Sequence, residues 1–233
     1  MDVRAFDLPR YLSVLPLFGD MTSVELERLA DGSQMRRLAR GDMVFRVGQP
    51  CEEFHVTVVG QVKLFAISVA GQEKVIELIG PGQSFAEAIM FIGMAYIVNA
   101  QALTDTLLLT VSKQAVLDEI SHDPRFALRM LAGISRRLHG LVRDVQGYAL
   151  HSGQQRVIGY LLRGLDGESG AEAGEVMVSL PVSKSTVASR LSLTPEYFSR
   201  VLHELESAGL IEIEKRDIRI LDANRLAMYQ PGS

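Results

Sequence analysis

Cysteine is almost absent from this chain of 233 residues, in which Cys51 is the single example. One thiol cannot form an internal disulfide, and it cannot supply the several thiolates of an iron–sulfur cluster or a structural zinc site. We therefore predict no metal site of these kinds, and we expect Cys51 to behave as a small buried apolar residue.

Long apolar runs and a strong charge excess are also missing. No run approaches the roughly 20 residues that span a bilayer, and the amino-terminal MDVRAFDLPR lacks the profile of a signal peptide. The formal net charge of −4 is too mild for coating nucleic acid through bulk charge, so any nucleic-acid site must be local. With 47% hydrophobic and 22% charged residues, the composition predicts a cytoplasmic globular protein with no membrane partner.

Glycines punctuate the region from about residue 36 to 112, where short runs of Val, Ile, Phe and Leu alternate with turns. A spacing of about 8 to 12 residues between turns is typical of a small antiparallel barrel or jelly roll. FHVTVVGQVKLFAIS predicts two strands joined near Gly60, and VAGQEKVIELIG predicts a hairpin around Gly71.

After Pro124 the apolar period becomes helical, with spacings of three and four residues. Such a heptad seam favours packing against a second copy of the helix, although a helix packed on its own domain is the alternative. The predicted seam consists of Ala127, Leu131, Ile134, Leu138, Leu141, Val145 and Tyr148.

A second small domain follows the polar, glycine-rich stretch at about 166–175. SKSTVASRL, SLT, PEYFSRVLHELESAG and LIEIEKRDIRIL predict a helix, a turn, a second helix and a two-stranded wing. This order is that of a winged helix-turn-helix, whose second helix enters the major groove of double-stranded DNA.

Glu196, Ser199 and Arg200 lie at positions i, i+3 and i+4 of that second helix, and so share one face. Arg200 can bind guanine, Glu196 can accept from a base amino group, and Ser199 can contact thymine or phosphate. A surface ion pair between Glu196 and Arg200 is the alternative interpretation. The predicted phosphate contacts are Lys184, Arg190, Thr194, Lys215, Arg216 and Arg219.

The order of parts, with RGDMVFRVGQP, FHVTVVGQVKLF, GQSFAEAIMF and TPEYFSRVLHELESAGLI, resembles the CRP/FNR family of bacterial transcription regulators over almost the whole chain. The resemblance implies an α+β fold with four parts: an amino-terminal arm (1–22), a β-roll effector domain resembling cyclic-nucleotide-binding domains (23–114), a dimerisation helix (115–150) and a winged helix-turn-helix (151–233). It also implies a homodimer that activates transcription by contacting RNA polymerase, through the 166–175 loop.

The E-x-x-S-R pattern of Glu196, Ser199 and Arg200 resembles that of the FNR branch. The resemblance implies an operator of TTGAT and ATCAA separated by four bases. Effector binding would bias the dimer helix between two arrangements, and a hinge near His151 to Gln155 would reorient the recognition helices.

Cyclic-AMP-binding members of the family pair the cyclic phosphate with an arginine, yet no arginine occurs here between Arg46 and Arg125. Burying a phosphate without a cation is costly, so we do not expect cyclic AMP to bind. The stretch GQSFAEAIMFIGMAYIVNAQA instead predicts an apolar effector pocket. Its predicted lining is Phe85, Glu87, Ile89, Met90, Phe91, Met94, Tyr96 and Met130.

The segments FAEAIMF, NAQA, AGQEKVIE and TPEYFSR look most like the branch of dissimilatory nitrate respiration regulators. That resemblance implies haem as a cofactor and nitric oxide as the signal. Among the histidines of this chain, His55 is the first candidate haem ligand, with His122 and His139 as alternatives. Another apolar effector, or a pocket filled by the protein's own side chains, is the alternative. An enzyme is a further alternative, but we expect none, because no nucleophile–base pair, metal-spaced cluster or phosphate loop is visible.

Overall fold

The structure, a computed structural model, describes residues 7–15, 18–19, 21–163, 176–180, 182–215 and 217–229. The chain divides into two compact units, Met1–Leu141 and Val142–Ser233. The predicted domain boundaries at 22, 114 and 150 remain predictions, since the units divide inside a helix. None of the helices in the described ranges is long and apolar enough to cross a membrane.

The first unit opens with two short helices, α1 (Leu8–Ser13) and α2 (Ser23–Asp31). Thr22 caps α2, because its hydroxyl accepts from the backbone N–H of Glu25. The Glu25 carboxylate accepts in return from the backbone N–H of Thr22, at 2.6 Å. This reciprocal capping box satisfies two backbone donors that a helix start leaves unpaired.

Two four-stranded antiparallel sheets form the body of the first unit, in the orders β1-β8-β3-β6 and β2-β7-β4-β5. Buried side chains from both sheets, including Phe54, Val56, Val62 and Phe85, form one hydrophobic core with α1 and α2. The predicted β-roll is therefore confirmed. The strands are β1 (Ser33–Leu38), β2 (Met43–Phe45), β3 (Glu53–Val59), β4 (Val62–Ile67), β5 (Glu73–Ile79), β6 (Ser84–Phe85), β7 (Asn99–Ala102) and β8 (Thr106–Ser112).

Gly60 lies at the corner where the chain passes from one sheet to the other, between β3 and β4. Its φ is +87°, and a Cβ at this position would lie 2.5 Å from the backbone oxygen of Asp105. Only glycine meets both conditions without strain. The predicted turn near Gly71, in contrast, joins strands β4 and β5 of one sheet as a hairpin.

Three helices complete the connections of the first unit: α3 (Glu87–Ile92), α4 (Lys113–His122) and α5 (Arg125–Leu150). The predicted dimerisation segment 115–150 therefore contains two helices. Asp123 separates them in an extended conformation, with φ −131° and ψ 98°, because the following Pro124 disfavours helical geometry in the residue before it. Phe126 and Met130, in the first turns of α5, are buried in the roll core.

The second unit contains the carboxy-terminal part of α5 and the predicted helix-turn-helix with its wing. Its sheet has the order β10-β11-β9. Buried Val187, Phe198, Leu202 and Ile218 face its interior from α7, α8 and β11, which confirms the predicted module. Its elements are α6 (Gly153–Arg163), β9 (Val176–Ser179), α7 (Lys184–Arg190), α8 (Pro195–Ser207), β10 (Ile211–Glu214), β11 (Asp217–Ile220) and α9 (Ala223–Met228).

Candidate DNA-reading surface and effector pocket

Helix α8 begins at a well-formed cap that fixes where its first exposed face lies. The Thr194 hydroxyl accepts from the backbone N–H of Tyr197 at 3.2 Å. Pro195 occupies the first helical position, where a missing N–H costs nothing. Phe198, Val201 and Leu202 point into the unit and are buried. The opposite face of the first turns is thereby turned to solvent.

The three predicted base-reading residues lie together on that outer face. Glu196 and Arg200 are exposed, and Ser199 is partly exposed. The guanidinium of Arg200 lies 3.7 Å from the Glu204 carboxylate and 4.8 Å from the ring centroid of Tyr197. The helix-surface ion pair of Arg200 is therefore formed with Glu204, not with the Glu196 of the alternative interpretation. Such an exposed pair is worth little, so Arg200 can leave it for a base.

The predicted phosphate contacts fall into different environments. Lys184 opens α7 and is partly exposed, whereas Lys215 is exposed at the tip of the wing with a φ of +59°. Arg190 is engaged within the unit, where it donates to the Tyr148 hydroxyl at 2.6 Å and pairs with Asp144. The Arg219 guanidinium pairs with Glu212 on the neighbouring strand. Thr194 caps α8, and Arg216 lies outside the described residues.

A cavity of about 300 Å³ lies in the first unit, between the roll and α5. Among its lining residues are Phe45, Tyr96 and Ile97 from the roll, and Ile134 and Leu138 from α5. The lining is thus largely apolar, as a pocket for a small apolar molecule requires.

Three of the eight predicted pocket residues line this cavity: Glu87, Ile89 and Tyr96. Phe85, Met90 and Met130 are buried in the roll core instead, and Phe91 packs against that core. Met94 is exposed at the surface. Residues 86–89, at the start of α3, line the cavity, whereas Met90 and Phe91 in the following turn pack in or against the core.

Arg137 of α5 supplies the cavity with a cation that the 82–102 stretch lacks. Its Nη2 and Nε lie 2.7 Å and 2.9 Å from Oε2 of Glu77. Its Nη1 lies 3.4 Å from Oε2 of Glu87 and 3.3 Å from the backbone oxygen of Ser84. A sequence signal did exist, because Arg137 lies three residues after Ile134 and therefore on the same helix face.

Tyr96 lines the cavity and connects it to a buried histidine. Its ring stacks on Phe45 with centroids 3.6 Å apart, and its hydroxyl lies 3.5 Å from Nε2 of His55. The other ring nitrogen of His55, Nδ1, lies 3.1 Å from the Thr110 hydroxyl. His55 is fully buried, and burial, together with the nearby charge of Arg36, lowers its pKa to about 3, so the imidazole is neutral.

Burial also controls the protonation of Tyr96 and Cys51. Desolvation raises the pKa of Tyr96 and the pKa of Cys51, so both the phenol and the thiol keep their protons at neutral pH. Cys51 is buried in the core, with its thiol 3.5 Å from the backbone oxygen of Glu53. The Glu53 carboxylate lies beside these groups, with Oε1 3.9 Å from Nε2 of His55.

The predicted seam of α5 includes large apolar side chains that are open to solvent. Leu131, Leu138 and Val145 are 58%, 60% and 64% exposed. Ile134, Leu138 and Leu141 also line the cavity. Tyr148 differs from the others, because its hydroxyl donates to the backbone oxygen of Arg190 at 2.6 Å. Leu131, Leu138 and Val145 therefore form an exposed apolar row on this helix.

Comparisons with known proteins match both units. A cyclic nucleotide-binding domain model matches residues 35–123, and a Crp-like helix-turn-helix domain model matches residues 155–229. The structure of DNR from Pseudomonas aeruginosa is 34% identical, with 95% of this chain and 96% of that chain covered and a TM-score of 0.50. The transcriptional activator protein anr from Pseudomonas aeruginosa is 28% identical over 206 residues, or 84% of this chain and 80% of that protein.

A further solved structure, FixK2 from Bradyrhizobium japonicum, supports the fold alone. It is 21% identical, its TM-score is 0.75, and the match covers 86% of this chain and 98% of that one.

Proposed function

The chain belongs to the CRP/FNR family and is a DNA-binding transcription regulator of that type, and from this premise we propose that it reads an FNR-like palindromic operator as a homodimer. The exposed face formed by Glu196, Ser199 and Arg200 at the start of α8 carries the proposal. Arginine and glutamate on one helix face provide a donor and an acceptor of the kind that base edges in the major groove recognise.

Dimerisation through α5 supplies the second recognition helix that a palindrome requires. The exposed apolar row supports it, because Leu131, Leu138 and Val145 would otherwise remain in contact with water. The two recognition helices of such a dimer must reach successive major grooves, about 34 Å apart.

We propose further that an apolar effector in the cavity controls the dimer. The support is that Ile134, Leu138 and Leu141 belong both to the cavity wall and to the predicted seam. An occupant that contacts these side chains differently in two arrangements of α5 would shift the balance between those arrangements. Loss or gain of operator affinity is the expected consequence.

Haem with nitric oxide as its signal is the second candidate effector, as the resemblance to the nitrate-respiration branch implies. The residues present fit haem poorly. No histidine, cysteine or methionine lines this cavity in the described part of the chain. His55 lies behind Tyr96 with both ring nitrogens beside hydroxyl groups. An apolar effector without iron is therefore the first candidate, and a cyclic nucleotide is the least favoured.

Activation by contact with RNA polymerase in the cytoplasm completes the proposal. The loop predicted for that contact, 166–175, lies outside the described residues. The proposed hinge at His151 to Gln155 includes the two residues between α5 and α6.

Fluorescence anisotropy with purified protein tests the proposal. Binding to a duplex with TTGAT and ATCAA separated by four bases is compared with binding to a shuffled duplex of equal composition. Clear preference for the palindrome is expected, and equal affinity would refute operator reading. Addition of haem gives an independent result, because a Soret band that stays at the position of free haem removes haem from the candidates and leaves DNA reading untouched.

A further inference from the structure

The formal charges of the side chains that line the cavity do not sum to zero. Glu77 and Glu87 carry two negative charges, and Arg137 carries one positive charge. Every other lining side chain is apolar except Tyr96, whose phenol is protonated because burial raises its pKa. The lining thus has a formal charge of −1, although it contains an arginine.

Each guanidinium nitrogen of Arg137 already contacts an acceptor. Nε and Nη2 contact Glu77, and Nη1 contacts both Glu87 and the backbone oxygen of Ser84. All three guanidinium nitrogens are therefore engaged. An incoming phosphate, sulfonate or carboxylate would have to share Arg137 with the two carboxylates already bound to it, or displace one of them and then remain close to it. Like charges at such a distance disfavour each other strongly where solvent is restricted.

The two carboxylates do not contribute equally. Glu77 makes the shorter contacts, at 2.7 Å and 2.9 Å, and occupies two of the three nitrogens. Glu87 makes one contact at 3.4 Å, which is long for a hydrogen bond. Removing the charge of Glu77 would weaken the contacts of two of the three guanidinium nitrogens of Arg137. Removing the charge of Glu87 would leave those two contacts in place.

We propose that Glu77 is a specificity-determining residue that commits Arg137 and makes the cavity reject anionic ligands in favour of uncharged apolar ones. The inference rests on the proposed function, in which this cavity holds the effector. A purely structural role, in which the pair only pins α5 to the roll, would change stability without changing the preference between anionic and uncharged ligands.

Two dyes with one aromatic skeleton test the proposal: uncharged phenylnaphthylamine and anionic anilinonaphthalene sulfonate. Their fluorescence rises on transfer to an apolar site, and they differ by the sulfonate. Intact protein is titrated with each dye. The fluorescence that reports cavity binding is defined as the part of the dye fluorescence that is lost in the Ala88→Phe variant. This substitution places a larger side chain at an exposed position of the cavity lining.

Wild-type protein is expected to bind the uncharged dye at least about tenfold more tightly than the anionic dye in the cavity. Glu77→Gln is expected to shift that ratio by about tenfold toward the anionic dye, because it removes a like charge and frees a cation. Arg137→Gln should shift the ratio in the opposite direction. Glu73→Gln is the matched control, since Glu73 lies on the same strand but pairs with Lys63 and does not line the cavity.

An unchanged dye ratio in Glu77→Gln overturns the proposal, and so does the absence of any dye signal sensitive to Ala88→Phe. Operator binding is measured on the same samples by anisotropy. If the dye ratio shifts as expected but operator and shuffled duplexes bind equally, the proposed role of Glu77 stands and the proposed DNA reading fails. If the dye ratio is unchanged in Glu77→Gln and operator preference persists, only the proposed role of Glu77 fails.

Discussion

Arg200 is the residue whose chemistry most directly distinguishes base reading from general attraction to DNA. Its side chain is 64% exposed and is held by surface contacts to Glu204 and the Tyr197 ring, so it can exchange these partners for a guanine. Lys215, exposed on the wing, can contribute charge but not the two parallel hydrogen bonds of a guanidinium.

Arg200→Ala is expected to weaken operator binding by roughly 1–3 kcal/mol per half-site and to relax selectivity at one guanine. Lys215→Ala is expected to weaken operator and shuffled duplexes alike, because a phosphate contact carries no sequence information. Anisotropy titrations at constant salt measure both effects. Equal losses on both duplexes for Arg200→Ala would contradict base reading.

His55 makes the stability of the roll depend on pH. The unfolded chain takes up a proton on this histidine as the pH falls through about 6.5, whereas the folded pKa is about 3. The unfolded state therefore binds more protons between these values, and the free energy of unfolding must fall as the pH falls.

His55→Gln is expected to flatten the decrease in the free energy of unfolding between about pH 6 and pH 4, by up to roughly 1 kcal/mol per pH unit. Urea denaturation of wild type and variant across that range measures the difference. Values at pH 8 serve as the internal reference for any loss of the contacts to Thr110 and Tyr96. Parallel curves for the two proteins would contradict a neutral buried imidazole.

The residue-scale predictions from sequence succeeded where a local period was sufficient. Glu196, Ser199 and Arg200 share a face because of helical geometry alone, whatever surrounds the helix. Arg137 was missed as the cation of the pocket because it lies 50 residues from Glu87 and 60 residues from Glu77 along the chain. The partner of His55 likewise depends on the β3–β8 register, which pairs His55 with Thr110.

Helix α5 is the element on which both proposals converge. Its apolar period identified the helix after Pro124, but a one-dimensional pattern could not show that Ile134, Leu138 and Leu141 face a cavity as well as the predicted seam. A substitution at Leu131 tests the seam alone, because Leu131 is an exposed member of the seam and does not line the cavity.

Leu131→Asp is expected to convert the dimer to monomers and to abolish tight operator binding, because it places a carboxylate in an apolar seam. Ala132→Asp is the matched control, since Ala132 is exposed on the same helix but lies about 100° around the helix axis from Leu131. Analytical ultracentrifugation gives the oligomeric state. A Leu131→Asp dimer would refute the seam assignment, and monomers in both variants would show that the effect is not specific to the seam.

The strands illustrate what pattern alone leaves open at the scale of elements. FHVTVVGQVKLFAIS predicted two strands correctly, yet β3 and β4 belong to different sheets. Which strands pair is decided by long-range contacts, and here by the close approach of Gly60 to Asp105. A run of apolar residues indicates a strand but does not identify its partners.

At the scale of the whole molecule, the fold order was predictable and the effector was not. The strands separated by glycine turns, the long amphipathic helix and the helix-turn-helix occur in separate stretches of sequence, so each could be identified alone. The cavity is assembled from β2, β4, β5, the 86–98 stretch and α5, and its charge balance depends on contacts between them. Ligand chemistry therefore had to come from the structure.

Half-site spacing tests the central claim, a dimer that reads two half-sites at once. Anisotropy titrations compare the palindrome with a duplex in which five base pairs are inserted between TTGAT and ATCAA, about half a turn of B-DNA. The account predicts that the insertion weakens binding by about 100-fold, to the level of a duplex with one half-site, because the second recognition helix then faces the wrong side of the duplex. Equal affinity for the two duplexes would contradict it.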